Sequence, residues 1–306
     1  MIKSLRASLV RLLPALVALG VCHAQTPVQA PAKAAGRSLM WKATSSTNTV
    51  YLLGSIHVGD NSMYPLPPNV EAAFAASKVL AVEINIKSVD QSKIFKLVQD
   101  YGMYAGDETL ATHISKETSA ALDDFCSKNN VPRMVLDKMK PWVAAITVIT
   151  FGFKAAGEDP NLGIDMHFLN EVKEPQRIEE LETADFQMSI LSSATEQEQL
   201  EMLNASLKQA DKAKGMIQKL EQAYVAGDAE SLEKLVREEE SGPKSLMKKL
   251  LDDRNVTMTQ RVEQYLKGKD PSFVVVGAGH IIGEKGIVKL LQDKGYHVER
   301  VTTDQK

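Results

Sequence analysis

The sequence predicts an α/β protein: a central mixed sheet built from N- and C-terminal βαβ-like units, with a large helical middle insertion. Strand-like apolar runs gather near the two ends of the chain, TVYLLGS and KVLAVEINI early and SFVVVG late. Between about Asp90 and Gly268 the apolar residues instead recur every three or four positions, the helical period. The two ends also echo each other. Each carries an apolar run closing on Gly-x-x-His, GSIH delivering His57 and GAGH delivering His280.

In chain order, SLMWKATS and TNTVYLLGS alternate like two strands joined by a Ser/Thr/Asn turn, so a hairpin opens the fold. Pro67 and Pro68 suit a first helical turn before EAAFAAS, and KVLAVEINI follows as a strand with Glu83 inside it. DQSKIFKLVQDYG, KETSAALDDFCSKNN, KPWVAAITVITFG and GIDMHFLNEVKE read as helices, and QRIEELET as one further strand. The stretch from Asp185 to Gly227 reads as long helix, followed by helices over 228–240 and 243–266 whose charges suggest solvated faces. PSFVVVGAGH, GEKGIVKLLQDK and GYHVERV close the chain as strand, helix and strand. The first and last units are expected to pair into one sheet.

Residues 1–24 have a basic leader (Lys3, Arg6, Arg11), an apolar run too short to span a bilayer and small residues before a cut after Ala24, so they read as a secretory signal. The Ala/Pro/Gln-rich residues 25–37 read as a disordered linker, and 38–306 as a single α/β domain. The expected location is across the inner membrane, in the periplasm, with no membrane span after signal cleavage. Cleavage removes Cys22 and leaves Cys126 alone, so no disulfide within the chain is expected and stability must come from the core. Loss of the three leader cations takes the formal charge from −3 to −6, a poor balance for nucleic-acid binding.

An imidazole after the Gly at the end of a buried strand stands where open α/β sheets keep their ligands. Glu83, in the apolar run AVEIN, needs compensation by a metal ion or by a cationic side chain. His57, His280 and Glu83 together form a three-ligand set with an open position, the pattern of a catalytic metal site. Each of the three taken singly has an ordinary structural explanation; the joint pattern singles them out. His113, His167 and His297 lie in a loop, a helix and an amphipathic strand without comparable settings. Asp165 reads as a helix cap, Glu182 as a strand end with Gln187 on the next helix, and Arg254 and Asn255 as part of a charged helix. No G-x-S-x-G elbow, H-E-x-x-H helix, Cys-based zinc pattern or phosphate-binding Gly loop is present.

VYLLGSIHVGD with YPLPPNVEAAFAASKVLAVEIN, GIDMHFLNEVK, RIEELET, DDRN and FVVVGAGHIIGEKGIVKLLQDKGYHVERV, taken in that order, resemble the TraB/GumN family, related to the Tiki proteins and more remotely to erythromycin esterases. The resemblance covers about residues 38–301. It implies the α/β core described above and, by analogy with Tiki-like members, metal-dependent proteolysis. Carried onto this chain, the metal ligands are His57, Glu83 and His280, with Arg254 and Asn255 as supporting catalytic groups and Asp165 and Glu182 less directly implied. The implied ion is divalent, manganese or cobalt, with zinc left open, and the implied partner is a peptide or protein. The oligomeric state is not readable. Two rival readings stay open: a metal-independent, esterase-like hydrolase in which His57 is the base and Glu83 orients it, and a non-catalytic peptide-binding or envelope-polysaccharide accessory protein.

Overall fold

The computed structural model describes residues 37–302 apart from 211 and 238–241. The signal reading for 1–24 and nearly all of the linker reading for 25–37 lie outside the described residues. Arg37, placed in the linker from sequence, is instead the first residue of β1.

The chain runs β1 (Arg37–Thr44), β2 (Thr49–Ser55), α1 (Pro68–Ala75), β3 (Val79–Val82), α2 (Gln91–Gly102), α3 (Lys116–Asn129), α4 (Arg133–Asp137), α5 (Pro141–Ala156) and α6 (Ile164–Glu171). It continues with β4 (Arg177–Glu180), α7 (Ala184–Ser192), α8 (Glu196–Ala210), α9 (Ala213–Val225), α10 (Ala229–Arg237), α11 (Lys244–Leu250) and α12 (Asp252–Lys267). β5 (Ser272–Gly277), α13 (Ala278–Ile281), α14 (Ile287–Asp293) and β6 (His297–Thr302) complete it. The predicted class is the observed one, a six-stranded mixed sheet with a large helical part.

The sheet order is β4-β3-β5-β2-β1-β6. β4, β3, β5 and β2 are mutually parallel neighbours, while β1 pairs antiparallel with both β2 and β6. β5, from the C-terminal unit, therefore lies between β3 and β2 of the N-terminal unit. Every residue of β3 and β5 is buried, as expected of central parallel strands covered on both faces. Alternation divides β5: Phe273 and Val275 join one core cluster, Val274 and Val276 the other. The first layer holds Phe74 of α1 and Phe168 of α6, whose rings lie 4.9 Å apart and 5.6 and 4.9 Å from Phe273. The second layer holds most of the helical insertion, where α5 runs along α8 and is buried on nearly all sides.

Local chemistry explains the helix ends. Asp90 caps α2 through Ser92 and Lys93 N–H, Ser115 caps α3 through Thr118 N–H, and Thr183 caps α7 through Phe186 N–H. Pro68 and Pro141 occupy first-turn positions of α1 and α5. Two long helical readings are broken. The stretch from Asp185 to Gly227 is three helices, interrupted around 193–195 and at Lys212, and the stretch 243–266 is divided at Leu251 between α11 and α12. Helical periodicity persists across such corners because each successive helix buries an apolar face against the same core. Cys126 is buried. Among the described residues no helix is long and apolar enough to cross a membrane.

Phe168 is fully enclosed between Phe74 and Phe273. Phe168→Ala is expected to cost about 3–5 kcal/mol, seen in urea unfolding as a lower midpoint with an unchanged slope.

Candidate functional site

The parallel register of β2 and β5 sets Ser55 beside Gly277. Both chains leave the sheet there, and two residues later on one side and three on the other they present His57 and His280. The adjacent strand β3 ends at Val82, so Glu83 stands just beyond it rather than inside it as read from sequence. His280, read at the end of the strand run PSFVVVGAGH, likewise lies beyond β5, in the single turn of α13.

The three side chains converge. Glu83 Oε1 lies 3.8 Å from His57 Nε2 and 3.8 Å from His280 Nε2. Gly277 lies against all three: a Cβ there would stand 3.1 Å from His57 Nε2 and 3.3 Å from Glu83 Oε1. Its N–H donates to Glu83 Oε1 at 2.8 Å. A Cβ at this position would press on both groups, so the close approach favours glycine. The loop carrying His57 is fixed from behind, since Ile164 N–H donates to the Ile56 carbonyl and Gly59 exchanges two backbone hydrogen bonds with Asp159. A Cβ on Gly163 would stand 2.4 Å from the His57 carbonyl oxygen, so this contact also needs glycine.

Each imidazole is oriented through Nδ1. His57 Nδ1 meets Asp165 Oδ2 at 2.7 Å, and Ser55 Oγ donates to Asp165 Oδ1 at 3.0 Å. A carboxylate accepts, so His57 Nδ1 carries a proton. His280 Nδ1 meets Asn255 Oδ1 at 2.6 Å, while Asn255 Nδ2 donates to the Lys285 carbonyl at 2.8 Å. That second bond fixes which way the amide faces, so His280 Nδ1–H is the donor and Nε2 holds a lone pair. His280 Nε2 is buried and has no hydrogen-bond partner. Asp165, read as a cap, therefore orients His57; the N-cap position itself is Gly163.

Arg254 is 1% exposed and Asn255 0%, so the solvated helix face expected for this pair is corrected: both point inward from α12. Arg254 Nη2 donates to Glu83 Oε2 at 2.5 Å and to Glu182 Oε2 at 2.7 Å; Nε donates to both Glu182 oxygens, and Nη1 to the Leu250 carbonyl. Gln187 Nε2 bridges Glu83 and Glu182 at 3.2 and 3.1 Å. The cation foreseen as one way to compensate Glu83 is this guanidinium, brought from 171 residues away. His113, His167 and His297 lie elsewhere, His113 and His167 paired with carboxylates of their own and His297 exposed.

The electrostatics separate the two imidazoles. Burial disfavours charge on His57, but the Asp165 carboxylate and its hydrogen bond, then Glu83, outweigh burial and raise its pKa to about 9. Burial, reinforced by the Arg254 charge, lowers His280 to about 3. Burial would raise Glu83, yet His280 when charged, Arg254, His57 and the Gly277 N–H hold it down at about 2. Glu182 is raised, because burial exceeds what Arg254 recovers. Among the described residues no three His, Cys, Asp or Glu side chains converge tightly enough to hold a metal ion.

A family model, TraB/PrgY/gumN, matches residues 39–300. The chain belongs to the TraB/PrgY/gumN family. It is similar to the uncharacterized protein YbaP of Escherichia coli (strain K12), 22% identical over 262 residues that cover 84% of this chain and 94% of the relative. The YbaP of Shigella flexneri is also 22% identical, over 79% of this chain and 87% of that protein. No solved structure matches. The family match spans both Gly-x-x-His motifs and every residue of the centre described above.

Two outcomes follow from the buried charges. Arg254→Met is expected to cost roughly 3–5 kcal/mol, because it leaves two carboxylates buried without their cation; denaturant unfolding at neutral pH measures it. The raised pKa of His57 gives stability that is complete below about pH 6.5 and lost as pH rises through 9. Unfolding of chelator-treated protein between pH 6 and 9.5 is expected to show that loss, and Asp165→Asn is expected to flatten it.

Proposed function

We propose that this protein is an exported, periplasmic hydrolase of peptides whose centre is His57, Glu83 and His280, working with a divalent ion. The observation that carries the reading is the orphaned His280 Nε2. It is a buried lone pair with no partner, and it and His57 Nε2 stand at equal distances of 3.8 Å from one carboxylate oxygen. Buried polar atoms are almost always satisfied, so an unmatched acceptor aimed at a second imidazole and a carboxylate marks a place for an electrophile.

The donor chemistry fits such an ion: two imidazole nitrogens and one carboxylate oxygen, each imidazole held by an acceptor on its far side, as metal-bound histidines are. The spacing is wider than the ~3.4 Å between ligands of a tetrahedral site with bonds of about 2.1 Å. The three side chains must close by a few tenths of an ångström. When bound, such an ion supplies Lewis acidity, lowering the pKa of water and polarising a carbonyl. The chain's own residues do the rest. Asp165 and Asn255 hold the two rings with Nε2 inward, Arg254 keeps Glu83 ionised, and Gly277 leaves the space open beside them.

A second reading is favoured by the 2.7 Å contact between His57 and Asp165. Opposite displacement of two neighbouring pKa values is the signature of an acid–base pair. Here His57, oriented by Asp165 rather than by Glu83, would exchange the proton with water without a metal.

Metal analysis and peptide hydrolysis distinguish the two. Protein purified without chelators is expected to carry close to one divalent ion, His57→Ala with His280→Ala to carry none, and Asn255→Ala to bind it about 10–100-fold more weakly. Chelation is expected to stop cleavage of a fluorogenic peptide library, with recovery on adding manganese or cobalt. Cleavage that resists chelation but disappears in Asp165→Asn establishes the metal-free route instead. Equal metal in parent and double variant rejects the ligand set.

A further inference from the structure

The centre stands almost shut. The side chains of His57, Glu83 and His280 are 8%, 3% and 1% exposed, and the hollow beside His57 has a volume of only ≈ 20 Å³. A site that receives a peptide needs a cleft of roughly 300 Å³ or more. Some element therefore moves before a substrate arrives, and the packing around the two histidines points to α10. Its residues Leu232 and Val236, one turn apart on the same face, form part of the wall of the hollow opposite His57 and Val58. Val236 also presses on the turn of α13: a Cβ on Gly279, the residue before His280, would stand 3.0 Å from Val236 Cγ1. One apolar edge of α10 thus covers both of the segments that carry the imidazoles.

The hold on α10 is weak where it matters. The hollow beneath it is a gap in the packing, so Leu232 and Val236 lack partners on that side. At its N-terminal end the chain turns at Gly227, whose φ of 63° suits a tight reversal and whose carbonyl accepts from Arg300 Nη2. At its C-terminal end Arg237 Nη1 donates to Asp252 Oδ1 of α12 at 3.2 Å, and Lys285 Nζ donates to the other oxygen of Asp252 at 3.1 Å. The Arg237 and Asp252 side chains are 31% and 14% exposed, so water competes for this pair. Arg237 Nη2 is buried and has no hydrogen-bond partner among the described residues. Arg254, by contrast, has acceptors for Nε, Nη1 and Nη2. Closure therefore leaves one guanidinium donor unsatisfied, a cost that opening into water relieves. We propose that α10 is a lid over the centre, pivoting at Gly227 and latched shut by Arg237 on Asp252. Lifting its Arg237 end withdraws Leu232 and Val236 from beside His57 and His280, as lids that admit substrate do. The inference rests on the hydrolase reading only in taking a peptide as what enters.

Hydrogen exchange and histidine acylation of chelator-treated protein test this. Amides of α10 are expected to exchange at least about tenfold faster than those of β5, showing that α10 opens without global unfolding. Diethyl pyrocarbonate acylates neutral imidazoles, so labelling of His280, followed by mass spectrometry of its peptide at pH 7, reports how often the centre is uncovered. His297, 71% exposed, serves as the internal standard. Arg237→Met is expected to raise His280 labelling roughly threefold to fivefold, with His297 labelling and β5 exchange unchanged. A circular-dichroism melt establishes that the variant is folded, and Asp252→Ala supplies the same test if it is not. Exchange of α10 as slow as that of β5, His280 labelling unchanged in both variants, or labelling that rises only together with β5 exchange overturns the lid. Peptide turnover by a protein whose α10 exchanges only with β5 leaves the hydrolase and removes the lid. Latch-dependent labelling without any turnover leaves the lid and removes the hydrolase.

Discussion

Everything in the centre depends on one pairing, the parallel alignment of β2 with β5. Those strands are separated by more than two hundred residues, and their register sets Ser55 against Gly277. A slip of one residue would turn every side chain of β5 to the opposite face, exchanging Phe273 and Val275 with Val274 and Val276. Both faces are fully packed, so the register is strongly specified. The chemical residues are therefore aligned by hydrophobic patterning rather than by attraction to one another. β3, on the other side of β5, adds Glu83 by the same logic.

The second organising element is charge kept out of water. Glu83, Glu182 and Arg254 are each nearly inaccessible, and an isolated ion in such a place would be prohibitively costly. They persist because the guanidinium forks onto both carboxylates, Gln187 fills the gap and Gly277 N–H takes a remaining lone pair. The same cluster differentiates the histidines. His57 sits against an additional carboxylate, Asp165, and His280 against an uncharged amide, Asn255. Two motifs that look alike in sequence thus present one imidazole that favours its proton and one that rejects it.

Much of the fold was legible because periodicity is local. The opening hairpin, the parallel strands and the helical insertion each declare themselves within a dozen residues. The convergence of the Gly-x-x-His motifs was legible for a different reason: repetition of a strand ending made two remote segments comparable. What stayed hidden involves partners remote in sequence. Asp165 looks like any acid at a helix start, and its 2.7 Å contact with His57 spans 108 residues. Asn255 lies in a highly charged stretch, and its burial follows from the α12 face that packs inward, which the surrounding Asp252, Asp253 and Arg254 obscure. The corners at Leu251 and near 193–195 were missed because an amphipathic pattern does not record a change of axis.

The interleaved strand order has a bearing on how the chain acquires its shape. β5 is the middle strand between β3 and β2, yet it is made after both of them and after the whole helical insertion. Until residues 272–277 arrive, β2 and β3 have no neighbour to join them, and their apolar edges cannot form the sheet. A fold dominated by such distant pairings acquires its structure late and slowly. Any fragment that stops short of residue 272 lacks both the second imidazole and the strand whose register aligns the first.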